Sequence, residues 1–231
     1  FIKKLCHNDC KYNIINLRTE VQKGMYKSPF YKKNIRNLIK FLILFKYVNQ
    51  FNKKEIYFEN FINEKLNLTK EYKNFDELKN EKFDYDYYIS GSDQLWNLQA
   101  TDFDWSYYLE FIDSKNKISY AGSFGPIKRN WTNEEKRRVV RNLKKYKYIS
   151  VREKGSFDLV YNLTKFKPNI NIDPTLLLKK EEWYNLIGSR KIINKDYILL
   201  YDLGCNKLIY EIAKKLSRKL KIPVIVTHLQ K

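Results

Sequence analysis

Lys117-Ile118-Ser119-Tyr120-Ala121-Gly122-Ser123-Phe124-Gly125-Pro126 decides how this chain is read. Its first half alternates residues suited to a pleated surface and is too short for a helix, so it predicts a strand. The strand runs straight into Gly-Ser-x-Gly-Pro, a turn of small and polar residues. The same grammar recurs on both sides. Upstream, Tyr87-Tyr88-Ile89 stops at Ser90-Gly91-Ser92-Asp93. Downstream, Thr132 and Glu135 have capping-box spacing, and a charged helix runs to about Lys145. A third strand, Tyr148-Ile149-Ser150-Val151, leads into Arg152-Glu153 and a helix over 156–163. Ile170-Asn171-Ile172 follows and is stopped by Asp173-Pro174. Earlier, Asn13-Ile14-Ile15-Asn16-Leu17 predicts a short strand of the same sheet and 33–51 a helix. The β-α-β rhythm predicts an α/β fold, a Rossmann-like parallel sheet with flanking helices.

A second unit begins after a polar, charged link at about 188–196. Tyr197-Ile198-Leu199-Leu200-Tyr201 predicts a strand. Leu208, Ile209, Ile212, Ala213, Leu216 and Leu220 mark one face of a helix, and Pro223-Val224-Ile225-Val226 predicts the next strand. The expected domains are therefore 1–188, the Rossmann-like domain, and 189–231, the link plus the first β-α-β of a second domain that looks truncated. Phe1-Ile2-Lys3-Lys4-Leu5 reads as the middle of a helix, so the chain reads as a fragment.

Composition bounds the function. The chain has 231 residues, 43 % of them hydrophobic and 16 % aromatic, with 7 Gly and 5 Pro, which excludes a disordered or collagen-like chain. Three cysteines, Cys6, Cys10 and Cys205, are too few to staple it and fit a reducing compartment. Lys and Arg number 45 against 26 Asp and Glu, a formal +19 that attracts anions. The plainest reading of that excess is Lys on solvated faces of a compositionally biased sequence. A basic nucleic-acid-binding module is the charge-based alternative, but no RNP, KH or helix-turn-helix pattern accompanies it, so no nucleic-acid partner is expected. The greasiest stretch, 38–48, is broken by Lys40 and Lys46 and is far below the roughly 20 apolar residues of a membrane span. Leu38, Phe41, Leu42 and Phe45 repeat at helical spacing, a core helix with peripheral contact to an anionic membrane as the second reading. Cys6-His7-x2-Cys10 lacks a local fourth ligand, so no metal site is expected. His228 follows a strand and could line a cleft.

In open α/β sheets ligands sit beyond the carboxyl ends of the strands. The residues that follow the four strands are Ser90 to Asn97, Gly122 to Gly125, Arg152-Glu153 and Asp173-Pro174-Thr175. Asp93 and Arg152 are the candidate catalytic residues. Ser92, Gln94, Trp96, Asn97, Ser123, Phe124, Gly125, Glu153 and Asp173 are the candidate substrate-binding residues. Small residues let a ligand approach the backbone, Ser, Asp, Gln and Asn supply hydrogen bonds, and Arg152 supplies a forked cation. Each has a plainer reading: a turn and helix cap for Ser-Gly-Ser-Asp, a core anchor for Trp96, a helix-start ion pair for Arg152-Glu153. Four polar turns on one edge argue for a site.

These segments resemble, in order, the motifs of the polysaccharide pyruvyl transferase family. Gly91-Ser92-Asp93-Gln94-Leu95-Trp96-Asn97 resembles its GSDQxWN signature. Tyr107-Tyr108-Leu109 with Phe111, Ile118 to Gly125, Ile149-Ser150-Val151-Arg152-Glu153, and Ile172-Asp173-Pro174-Thr175-Leu176-Leu177-Leu178 with Trp183 resemble the segments that follow, and the resemblance covers about 12–201. Gly122 stands where the family more often has Ala. The family's opening strand and Gly/Asn-rich turn, and the His-containing motif of its second domain, are not in the sequence.

The resemblance implies the N-terminal half of a GT-B-like two-domain fold. It implies transfer of pyruvate from phosphoenolpyruvate to a sugar of a polysaccharide or glycan precursor, as a ketal, with release of phosphate. The acceptor would be a glycan or lipid-linked saccharide, the place of work the cytoplasm, at the inner face of the membrane. No cofactor is implied, phosphoenolpyruvate being a substrate. Arg152 would clamp the donor's anionic groups, Asp93 would activate or orient an acceptor hydroxyl, and Gln94, Asn97 and Ser123 would hold oxygens. This piece alone is expected to be inactive. A GT-B-like glycosyltransferase using a nucleotide sugar is the alternative enzyme.

Overall fold

A computed structural model describes residues 10–26, 48–127, 129–187, 193–202 and 206–228. In chain order they form β1 (Ile14–Leu17), α1 (Glu20–Tyr26), α2 (Val48–Lys65), β2 (Leu68–Tyr72), α3 (Phe75–Lys79), β3 (Tyr88–Ser90), a 3-10 turn (Trp105–Tyr108), β4 (Lys117–Gly122), α4 (Asn133–Leu143), β5 (Tyr146–Val151), α5 (Lys154–Thr164), β6 (Asn169–Ile170), a second 3-10 turn (Pro174–Leu177), α6 (Lys180–Ile187), β7 (Ile198–Asp202), α7 (Lys207–Leu220) and β8 (Val224–His228). The chain divides into two compact units, Phe1–Leu178 and Lys179–Lys231. Phe1 to Leu5, Cys6, His7, most of the expected helix over 33–51, much of the link after 188, and Cys205 lie outside the described residues.

The first unit is built on a four-stranded sheet in the order β3-β4-β5-β6, every pair parallel. α4 connects β4 to β5 and α5 connects β5 to β6, so the fold is α/β and Rossmann-like as expected. α4 starts where the sequence sets it: Thr132 accepts a hydrogen bond from the Glu135 backbone, and the Glu135 carboxylate accepts one from the Thr132 backbone. The helix then turns Val139 and Leu143 inward. They pack with Val160 of α5, Tyr146, Ile149 and Val151 of β5, and the rings of Trp96, Tyr108, Phe124 and Trp131. Trp96 and Tyr108 stack at 5.6 Å, nearly parallel. One face of the sheet thus rests on a core rich in aromatic rings, and burial explains most of the Trp, Tyr and Phe in this region.

Two expectations need correction. β1 does not join the main sheet; it pairs in parallel with β2 as a separate two-stranded sheet. β2 is Leu-Thr-Lys-Glu-Tyr, whose central charges mask a strand: Lys70 pairs with Glu81 and Glu71 with Lys23, which leaves both charges at the surface. α2 runs to Lys65, past the expected helix end at about Phe51, and its Glu59 receives Arg18 at 2.8 Å.

In the second unit β7 and β8 pair in parallel from Ile198↔Val224 to Asp202↔His228. His228 is therefore the last residue of a strand rather than the residue after one. α7 buries Ala213, while Leu208, Ile212 and Leu220 are exposed among the described residues. No helix among them is long and apolar enough to cross a membrane.

Candidate active site

The site begins with a defect in β4. Its register against β5 slips between Ser119 and Gly122, and Ala121 has φ +51°, a conformation that non-glycine residues avoid. Serine hydroxyls replace the lost ladder bonds. The Ser119 hydroxyl donates to the Ser150 carbonyl at 2.7 Å, the Ser150 hydroxyl donates to the Ser119 carbonyl at 3.0 Å, and the Ala121 N–H donates to Ser150 Oγ at 3.0 Å. The bulge delivers Gly122 to a bridge with Asp93, which itself sits at φ +87°. The Ser123 N–H donates to the Asp93 carbonyl, the Trp96 N–H to the Ser123 carbonyl, and the Arg152 N–H to the Gly122 carbonyl, each at 3.1 Å. Loops from three strand ends are zipped together in this way. Strained backbone that clusters at one sheet edge is a mark of a functional site.

The side chains converge at the same place. Arg152 donates through Nε to Glu153 at 3.3 Å and through Nη1 to Asp173 at 3.3 Å, and Nη1 lies 3.8 Å from Asp93. The Ser92 hydroxyl donates to the same Asp173 oxygen. Asp173 also caps the second 3-10 turn, accepting from the N–H and the hydroxyl of Thr175 at 2.9 and 2.7 Å. The hydrogen bonds from Ser92 and then Thr175 outweigh its burial and hold its carboxyl well below the usual carboxylate range. Ser92, Asp93, Arg152, Glu153 and Asp173, all named from sequence, thus form one cluster. Asp93 is its open member, with a side chain 80 % exposed against 23 % for Asp173.

A second layer holds Glu153. Ser123 donates to it at 2.8 Å, and the hydroxyl of Ser156 donates to the same oxygen. Ser156 in turn accepts from the Phe124 N–H at 3.1 Å. Sequence reasoning missed Ser156; its only signal is a small hydroxyl in the first turn of a helix that leaves the ligand edge. Gln94 and Asn97 bond each other at 3.1 Å, and Gln94 lies so close over Gly125, at φ +60°, that a Cβ there would stand 2.3 Å from its oxygen. The positive φ is what favours glycine at 125, and a Cβ there would also push the Gln94 amide aside. Trp96 and Phe124 meet the edge only through their backbones. Their rings are buried, Trp96 fully, and anchor the loops to the core.

The charge balance limits what the cluster can do. One guanidinium faces three carboxylates, so the cluster is net negative. Such a site orients hydroxyl groups, and it repels a polyanion.

An open parallel α/β sheet with strained, polar groups gathered beyond its strand ends defines a Rossmann-like protein whose ligand edge is occupied by acids and one arginine. The sequence model of the polysaccharide pyruvyl transferase family matches residues 1–226 of the 231, nearly all of the chain, and the chain belongs to that family. No curated protein and no solved structure matches it. The family is a transferase family, and membership supports pyruvyl transfer to a polysaccharide.

Proposed function

We propose that the protein transfers pyruvate from phosphoenolpyruvate to a sugar of a polysaccharide or glycan precursor, forming a ketal and releasing phosphate. The observation that carries this reading beyond the family is Asp93, an exposed carboxylate fixed by a bridged, positive-φ backbone with Arg152 behind it. The reaction needs a base of that kind. A proton added to the methylene carbon of the donor leaves a cationic centre at its neighbour. One sugar hydroxyl attacks that centre and gives its proton to Asp93. The bond to the phosphate oxygen then breaks, and a second hydroxyl attacks the same carbon and loses its proton. Of the two hydroxyl protons, one is balanced by the new methyl group and the other by the departing phosphate. No electrons change hands, so the chemistry calls for no redox cofactor.

In this reading Arg152 is a positioning residue. It orients Asp93 and Asp173, while cations outside the cluster neutralise the donor's phosphate. Ser92, Gln94, Asn97, Ser123 and Glu153 line the acceptor side. The acceptor is a glycan or lipid-linked saccharide. The formal charge of +19 suits work at the anionic inner face of the membrane, in the cytoplasm.

The test is phosphate release from phosphoenolpyruvate by the protein across a panel of glycan acceptors. Release that requires both substrates, with a new ketal methyl signal on the glycan, is the expected result. Hydrolysis of a nucleotide sugar together with indifference to phosphoenolpyruvate overturns the proposal in favour of a glycosyltransferase.

A further inference from the structure

The first unit has a groove of about 380 Å³, within the roughly 300–1,000 Å³ of small-molecule sites. Its walls include Leu98, Phe103 and Trp105 on one side and Thr132, Glu134 and Arg138 on the other. The first wall is the continuation of the Ser92 to Asn97 loop after β3. The second is the N-cap and first turns of α4, which follows the Gly122 to Gly125 turn after β4. Both walls therefore leave the sheet at the edge that carries Asp93.

The floor is apolar, with the Phe103 and Trp105 rings edge to face at 5.1 Å. The rim is polar, and its charges are unequally engaged. Arg138 lies 4.0 Å over the Trp105 ring and donates to Glu110 at 3.0 Å, so this cation is already neutralised. Glu135 is held by Arg129 at 2.7 Å and closes the capping box of α4. Glu134 is exposed and has no side-chain hydrogen bond or ion pair among the described residues. Arg138 covers one face of Trp105, and Trp105 packs on Tyr108 at 5.5 Å. Among the described residues the groove thus offers the Phe103 ring, the Glu134 carboxylate as an acceptor and the Thr132 hydroxyl. Among the described residues that line it no cation is free, which argues against a phosphate, a carboxylate or a nucleic acid as occupant. A neutral pyranose fits that chemistry, with a C–H face for the Phe103 ring and hydroxyls for the rim.

We infer that this groove is a subsite for neutral sugar residues of the acceptor beyond the one that receives the pyruvyl group. The inference rests on the reading of the protein as a transferase acting on a glycan, and it makes the enzyme a chain-length reader. A longer acceptor gains affinity from a second contact without any change at the reacting carbon.

The probes are mannose, galactose, glucose and N-acetylglucosamine, each as its methyl glycoside and as a linear tetrasaccharide, titrated into the protein by calorimetry. The wild type is expected to bind at least one tetrasaccharide about tenfold more tightly than the matching glycoside. Glu134→Ala and Phe103→Ala are each expected to reduce that preference about threefold, the size of one modest lost contact, so that together they account for it. Glu134 is the decisive position because its exposed side chain bears no packing, and a thermal melt matching the wild type confirms that the variant is folded. Absence of any length preference in the wild type, or a preference kept within twofold in both variants, overturns the inference. Acceptor-dependent phosphate release is measured on the same samples. If it is missing while the length preference and its loss in the variants persist, the subsite stands and the pyruvyl transfer reading falls.

Discussion

Arg152 gives Nε to Glu153 and Nη1 to Asp173, and Asp93 completes the ring of acids around it. A lysine keeps one charge but cannot bridge two carboxylates through separate nitrogens. In the protein, Arg152→Lys is therefore expected to lower kcat about 10- to 100-fold while KM for phosphoenolpyruvate stays within about threefold, because the acids lose their alignment and the donor loses nothing. A tenfold or larger rise in that KM with kcat unchanged would instead make Arg152 the donor clamp that its sequence position suggests. Lys117 supplies a pH test at the other end of β4. It is 1 % exposed, its ammonium donates to the Leu109 carbonyl at 2.6 Å, and burial, aided by Lys145, pushes it down to about 8. Between about pH 8 and 10.5 the unfolded chain holds a proton here that the folded chain has released, so this group makes stability rise with pH. Lys117→Met removes that dependence. Its stability relative to wild type, from urea melts, is expected to decline across the window, at roughly 1.4 kcal/mol per unit of pKa difference; a relative stability that climbs with pH contradicts the assignment. Asp93, Arg152 and Asp173 were legible in the sequence because each lies within three residues of a strand's carboxyl end. Ser156 was not, since one serine in a helix carries no pattern, and neither was the burial of Trp96, since an aromatic in a ligand loop fits both core and site.

The element that shapes the site is the bulged end of β4. Its alternation reads as an ordinary strand, and nothing in Ile-Ser-Tyr-Ala announces that Ala121 adopts φ +51°. The bulge depends on Ser150 of the neighbouring strand, which supplies both a donor to the Ser119 carbonyl and an acceptor for the Ala121 N–H. Ser150→Ala leaves that buried N–H without its partner. The expected cost is about 1–3 kcal/mol in a denaturant melt, with faster hydrogen exchange at Ala121 and reduced transferase activity. A melt and exchange rate like those of wild type would show that the bulge holds itself. Helices with local start signals were the most legible elements: Thr132 and Glu135 form the capping box that their spacing predicts. The pairing of β1 was the least legible, because it is decided by β2, a charged strand whose alternation involves only Leu68, Lys70 and Tyr72 on one side. Pairing partners are set by long-range packing, which a local pattern does not encode.

At the scale of the whole molecule, a Rossmann-like unit brings the ends of β3, β4, β5 and β6 to one edge, and the family match over residues 1–226 places the chain among the polysaccharide pyruvyl transferases. The fold class could be read from the β-α-β rhythm alone, and the edge where the candidate residues gather from the polar turns that interrupt it. The charge balance of the site could not, because it depends on which acids the fold gathers around Arg152. That balance is the basis of the central claim, that this edge serves the acceptor's hydroxyls and that Asp93 takes their proton. Asp93→Asn tests it most directly, since Asn keeps the size and tolerates the positive φ of this position. Acceptor-dependent phosphate release from phosphoenolpyruvate is measured for wild type and variant, with a thermal melt to confirm the fold. The account predicts a kcat lower by about 10²–10⁴ in a protein that melts like wild type. A kcat within threefold of wild type would contradict it.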